Sequence, residues 1–301
     1  MPTVEVSHLV KTFGTLRAVD DVSFVVDKGE IFGLLGPNGA GKTTAIRILV
    51  DIFKPDQGTV SILNGPMTEA KKNRIGYLPE ERGLYQDVSL ERCLIYLATL
   101  KGLSTAKARS QISLFLERFD LAEHKKKKVK ELSKGMQQKA QLIVTLVHNP
   151  EVLIIDEPFS SLDPVNTQMV KDLLKEERSK GKTIIMCTHQ MNQVEELCDR
   201  LVLINHGRTV LYGSLGEIRR QFTSKDVLVR ASRELPSLIP GVEKIEPHNG
   251  LTKLILAANS TPQSVLRELV NANVSLEQYE IAIPTLDEIF IHVVQDKGEE
   301  E

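Results

Sequence analysis

The 301-residue sequence is short of the features that mark several broad classes. It has no strong charge bias, with 38 basic against 40 acidic side chains and a formal net charge of −2. No global field therefore favours nucleic acid, and a nucleic-acid partner is not expected. It has no long apolar run: stretches such as Val152–Ile155 and Leu142–Val147 fall far short of the roughly 20 residues that span a bilayer. It has only three cysteines, Cys93, Cys187 and Cys198, with no CxxC pair, and Met1-Pro2-Thr3-Val4-Glu5 lacks a basic and apolar signal segment. A reduced, cytosolic setting is the expectation. The length suits one large α/β core plus a small appendage, so two domains are expected.

What the chain does contain is organised around Gly36-Pro37-Asn38-Gly39-Ala40-Gly41-Lys42-Thr43-Thr44. An apolar run, Ile31–Leu35, precedes it and a helix-patterned segment, Ala45–Val50, follows. The spacing G-x-x-x-x-G-K-[ST] is that of a phosphate-binding loop: glycines let consecutive backbone N–H groups converge on phosphate oxygens at the positive end of a helix. In such loops the lysine, here Lys42, reaches the β- and γ-phosphates, and the next hydroxyl, Thr43, ligates Mg²⁺.

Upstream, Thr3–Leu9 and Val22–Val26 alternate like antiparallel strands, and Phe13-Gly14 lies in the turn region between them. Phe13 is either a flat platform for a nucleobase or an ordinary packed aromatic. Downstream, Gly58–Leu63 and Ile75–Leu78 read as strands; Pro79 ends the second and leaves Glu80 in a loop, where a solvated carboxylate is the commoner outcome. From Leu90 to about Leu121 the apolar spacing turns helical, with Leu94, Leu97 and Ala98 on one face and Ile112, Phe115, Leu116 and Phe119 on another. The basic run His124–Lys128 reads as a solvated linker face. Ser133 is placed as the N-cap of a helix running to His148, and with Gly135 it offers either a second anion site or simply a capped helix.

Glu151–Pro158 reads as a buried strand ending in two carboxylates, Asp156 and Glu157, which a core does not tolerate without cations or hydrogen bonds. Strand alternation sends the two side chains different ways, so that one can hold Mg²⁺ while the other orients an attacking water. Ser160–Pro164 is a polar turn. Lys182–Thr188 is one more parallel-type strand, with His189 at its carboxyl end, where open α/β sheets bind ligands. After Phe222 the pattern starts afresh: strands at Val227–Arg230 and Thr252–Leu256, a hairpin turn at His248-Asn249-Gly250, a helix opened by Thr261-Pro262, and a last helix opened by Thr285-Leu286-Asp287-Glu288. Lys297–Glu301 is expected to be disordered.

Residues 3 to about 220 resemble the nucleotide-binding subunit of an ATP-binding cassette (ABC) transporter, since that family's motifs appear in order. The resemblance implies a P-loop α/β fold with an antiparallel β-layer and a helical subdomain over 1–221, and a small α+β accessory domain over 222–301. It implies Phe13 as the adenine platform, residues 36–44 as the Walker A loop, Asp156 in the Mg²⁺ role, Glu157 as catalytic base and His189 as the histidine that contacts the γ-phosphate. LSKGMQQK at 132–139 occupies the signature segment, whose Ser133 and Gly135 cap ATP held by an opposite subunit, and Ser161-Leu162-Asp163 is the D-loop. Lys134 and Met136 replace a glycine and the glutamine of the usual LSGGQ, and Glu80, assigned to the metal, replaces a glutamine; with Ser133 and Gly135 retained, ATP sandwiching is expected to survive. LSKGMQQK and LPEERGLY at 78–85 are similar to type-2 exporters such as the sodium-extrusion ATPases. ATP and Mg²⁺ are the implied cofactors. The implied partners are membrane permease subunits and a second cassette, identical or different, with the chain peripheral on the inner face of the membrane. A soluble ABC protein of translation or repair would carry two cassettes, zinc cysteines or coiled-coil inserts, and a GTPase would carry NKxD; none is present.

Overall fold

The structure, a computed structural model, describes residues 2–81, 83–222 and 224–298. The chain divides into two compact units, Met1–Leu215 and Gly216–Glu301. The sequence pattern suggests a boundary after residue 221, where a new strand pattern resumes; the division falls instead where the last strand of the first unit ends, and a short helix opens the second.

The first unit begins with β1 (Pro2–Phe13) and β2 (Leu16–Asp27), a long hairpin, then β3 (Ile31–Leu35) and α1 (Lys42–Leu49). β4 (Gln57–Ile62), α2 (Glu69–Lys72) and β5 (Ile75–Leu78) follow, then α3 (Leu90–Leu100), α4 (Thr105–Arg118) and α5 (Lys134–Leu146). β6 (Val152–Asp156), α6 (Pro164–Ser179), β7 (Thr183–Thr188) and α7 (Met191–Leu197) alternate before β8 (Arg200–Asn205) and β9 (Arg208–Ser214). β2, β1 and β4 form an antiparallel sheet in that order. A second sheet, in the order β5-β6-β7-β3-β8-β9, is parallel throughout except for β9.

One core joins the two sheets. Val4, Val6, Phe24 and Val26 of the antiparallel layer pack in a single cluster with Phe32, Leu34, Ile154, Ile185 and Val202 of the parallel one and with Ile46 and Leu49 of α1. All five residues of β3 and all five of β6 are buried, which is why both read as continuous apolar runs rather than alternating ones. The helical stretch after Leu90 is two helices; Leu94, Ala98, Ile112, Leu116 and Phe119 are buried among them, while Leu97 and Phe115 are partly covered.

The second unit contains α8 (Leu215–Phe222), which straddles the division, then β10 (Val227–Ala231), β11 (Val242–His248), β12 (Leu251–Leu256), α9 (Pro262–Asn271), β13 (Leu276–Ile281) and α10 (Leu286–Gly298). Its sheet is antiparallel in the order β11-β12-β10-β13. Val227, Val229, Leu254 and Leu256 pack there against Val265 and Leu269 of α9. The expected turn is present, with Asn249 and Gly250 both left-handed (φ 47° and 78°) between His248 and Leu251. Lys297 and Gly298, expected to be disordered, close α10, and the rest of that stretch, 299–301, lies outside the described residues. Among the described residues no helix is long and apolar enough to cross a membrane.

Candidate functional site

The parallel register sets the site. Leu35 lies beside Thr188, and Asp156 beside Cys187, so the segments leaving β3, β6 and β7 emerge side by side at one edge of the sheet. Two glycines allow the loop after β3 to turn there. Gly36 has φ 148°, and a Cβ on it would lie 2.1 Å from the Ile204 carbonyl oxygen. Gly41 has φ 103°, and a Cβ would lie 2.1 Å from the Ala18 carbonyl oxygen. Gly41 is also the N-cap of α1, so the helix starts at Lys42 and not at Ala45 as the apolar pattern suggested. Lys42 and Thr43 thus belong to the first turn, at the positive end of the helix dipole.

Lys42 is buried, and its Nζ donates to the carbonyl oxygens of Gly36 at 2.7 Å and Pro37 at 3.0 Å. Two of its three protons hold the loop, leaving one for an oxygen in the cleft. The cleft, of about 590 Å³, is lined by Phe13, Asn38–Thr44, Glu80, Asp156 and Glu157. Phe13 packs as an aromatic, its ring 5.4 Å from Phe53, edge to face, and it also lines the cleft while staying 42 % exposed. Glu80, which the sequence left in a loop, faces the same space.

Asp156 is 2 % exposed and accepts from the Thr43 hydroxyl at 3.3 Å. Burial, aided by the charges of Glu80 and Glu157, pushes its carboxyl above the ordinary aspartate range in spite of hydrogen bonds from Cys187 and Thr43. A hydroxyl and a buried carboxylate that converge in a cleft are hard oxygen donors, and they fit Mg²⁺.

Glu157 is reached differently from the way the sequence suggested. It does not continue the strand alternation: its φ is 50°, a left-handed turn at the end of β6. The carboxylate swings toward β7 and is held there by the His189 backbone N–H at 2.9 Å, by His189 Nδ1 at 2.6 Å and by the Thr188 hydroxyl at 3.1 Å. Its backbone N–H donates to the Cys187 carbonyl at 2.9 Å.

Ser133, Gly135 and Asp163 do not line this cleft. Ser133 caps α5 by accepting from the Met136 N–H at 3.2 Å, and Asp163 caps α6 by accepting from the Asn166 N–H at 2.9 Å. A Cβ on Gly135 would lie 3.2 Å from the Ser161 carbonyl, so signature and D-loop touch.

A chain 38 % identical to this one, described as an uncharacterized ABC transporter ATP-binding protein (YhaQ) of Bacillus subtilis, aligns over 96 % of this chain and 97 % of its own length. This chain belongs to the ABC transporter ATP-binding proteins. Residues 19–160 of the ABC subunit match the ABC transporter family, and residues 213–294 match the DrrA1-3-like C-terminal domain of ATP-binding proteins. A Nod factor export ATP-binding protein I of Rhizobium sp. is 33 % identical over 96 % of each chain. A solved ATP-binding subunit of an ABC transporter superposes with a TM-score of 0.69 at 34 % identity, covering 73 % of this chain and 93 % of that one. The cassette is therefore an ATP-binding α/β unit of a family that hydrolyses ATP, dimerises and works with membrane permeases.

The sequence reading missed three groups around this site. The His206-Gly207 turn between β8 and β9 lines the cleft, and the Gly207 N–H donates to the Ala40 carbonyl at 3.0 Å, tying that hairpin to the phosphate loop. Asn205-His206-Gly207 is a turn signal that could have located it. Gln138 is buried in α5, and its Nε2 points at the carbonyls of Glu157 and Pro158 at 3.4 and 3.3 Å. Thr188 carried no signal of its own beyond preceding His189.

Proposed function

We propose that this ABC subunit binds Mg-ATP in the cleft, closes on a second cassette, and hydrolyses the nucleotide to drive export through separate permease subunits. The observation that carries the reading is the convergence of Lys42, the Thr43–Asp156 pair and the anchored Glu157 at one sheet edge. In this scheme the Phe13 face supports adenine, and the N–H groups of residues 38–44 with Lys42 bind the phosphates. Thr43 and Asp156, with Glu80 nearby, would hold Mg²⁺, which offsets charge that develops on the phosphate oxygens. Glu157 orients the attacking water and takes its proton, and His189, half exposed beside it, turns toward the γ-phosphate. Ser133 and Gly135 cap nucleotide bound to the opposite cassette, with Asp163 exposed two residues beyond Ser161, whose carbonyl adjoins Gly135. Export as the direction of transport is supported by the likeness to the Nod factor export protein and by the DrrA-like second unit, and the proposed permease partners imply a peripheral position at a membrane.

Glu157→Gln tests the scheme. Hydrolysis should fall about 10²–10⁴-fold, the usual contribution of a positioned base, while ATP still binds. Light scattering with ATP and Mg²⁺ should then show an accumulating dimer. A monomer throughout, together with undiminished hydrolysis, would sink both the base and the sandwich.

A further inference from the structure

The Glu157 carboxylate has two oxygens with separate anchors. Oε1 takes both His189 contacts, from the backbone N–H and from Nδ1. Oε2 is held by Thr188, whose Oγ1 lies 3.1 Å away. Thr188 is fully buried, and the same hydroxyl accepts from the Gln190 N–H at 3.1 Å. The Gln190 contact occupies a lone pair of the hydroxyl and leaves its proton for the carboxylate, so the rotor is fixed from both sides.

We infer that Thr188 is the positioning residue for Glu157, its hydroxyl locking the orientation of the carboxylate plane toward the attacking water. The backbone makes such a lock necessary. Glu157 sits at φ 50°, off the strand, so β6 does not dictate where its side chain points. His189 cannot do the work alone, because in the proposed scheme its imidazole turns away to the γ-phosphate, whereas Thr188 belongs to β7 and stays with the sheet. A carboxylate held at both oxygens keeps its plane when one imidazole contact is lost; held at one, it swivels. The inference rests on Glu157 acting as the base, and the variants separate the two ideas.

Full-length wild type, Thr188→Val, Thr188→Ser and Glu157→Gln are compared for kcat, KM and equilibrium ATP affinity. Valine keeps the volume of threonine and removes the hydroxyl; serine restores the hydroxyl alone. The expected result is a kcat for Thr188→Val lower by about 10–100-fold, the size seen when a hydrogen-bond partner that orients a metal ligand is lost. ATP affinity and KM should stay within about 2-fold, and Thr188→Ser should return most of the rate. A wild-type kcat in Thr188→Val overturns the inference, as does a serine variant no better than valine, or a loss that falls on affinity rather than on kcat. If Glu157→Gln itself hydrolyses normally, the base assignment fails first; if it stalls while Thr188→Val does not, only the positioning role fails.

Discussion

At the cassette's sheet edge and in the second unit, carboxylates meet different surroundings. In the cassette, helical crossovers return each strand in the same direction, so the residues after β3, β5, β6 and β7 are delivered to one edge. Asp156 meets Glu80 and Glu157 there and is left with its carboxyl pushed up by burial. The second unit's sheet is antiparallel with β11 and β12 as a hairpin, and two of its carboxylates bond to the fold itself. Glu288 accepts from the Thr285 N–H at 2.8 Å, and these capping bonds hold its carboxyl below the usual range although burial alone would raise it. Asp226 accepts from the Leu256 N–H at 3.2 Å and lies 3.6 Å from Lys253. A carboxylate bonded to the chain's own N–H groups serves the fold, and one whose pKa burial raises beside other carboxylates in a cleft is a functional-site candidate.

The comparison breaks most sharply at a core residue of the second unit. Leu254→Ala removes a fully buried side chain between β12 and α9 and should cost about 2–5 kcal/mol of that unit's stability. Two-step thermal unfolding, with ATP affinity of the cassette unchanged, is the expected outcome; a matching loss of ATP binding would show that the units are not energetically separate. Lys42→Ala tests the other side. Losing a charge-assisted bond should weaken Mg-ATP binding by about 1.5–3 kcal/mol, roughly 10–150-fold, without moving the second unit's melting. Calorimetry reads this directly, and unchanged affinity would mean that the phosphates lie elsewhere.

pH offers a gentler separation through His148. Burial holds its imidazole neutral, down to about 4, with the Lys101 charge adding to the effect, and its Nε2 lies 3.2 Å from the Ile75 carbonyl. The folded pKa lies below the unfolded value, so its contribution is complete above about pH 6.5 and is lost as the pH falls toward 4. Allowing for its partial exposure, about 2 kcal/mol is at stake. Wild type should lose that much cassette stability relative to His148→Gln across the window; parallel pH curves for the two proteins would refute it. The smallest effect is expected at Glu80. Glu80→Gln removes one charge from beside Asp156 and should raise the Mg²⁺ concentration for half-maximal ATPase activity by roughly 3-fold, a screened interaction across a wet cleft. Superimposable Mg²⁺ titrations would place Glu80 away from the metal.

Much of this was written in local sequence. The phosphate loop, the all-buried β3 and β6, the cap at Ser133, the Asn249-Gly250 turn and the caps at Thr261 and Thr285 each depend on a few adjacent residues whose backbone preferences or hydrogen bonds are local. β11 and β13 were not legible, because their residues are mostly half-exposed and show no clean alternation. β8 and β9 carry no motif of their own, and β9 is mostly half-exposed, although the left-handed His206-Gly207 turn between them carries a plain signal.

The sequence by itself determined that a phosphate loop exists, that two carboxylates end a buried strand and that a histidine ends another, since residue type and short-range spacing set these features. Only the tertiary structure decided that these ends meet. Strand order and parallel register bring Leu35 to Thr188 across more than a hundred residues of chain, and Asp156 to Cys187 on the neighbouring strand. It also decided that Glu157 leaves its strand in a left-handed turn and finds Thr188 and His189, because that conformation is fixed by partners on β7 and not by the residues beside it.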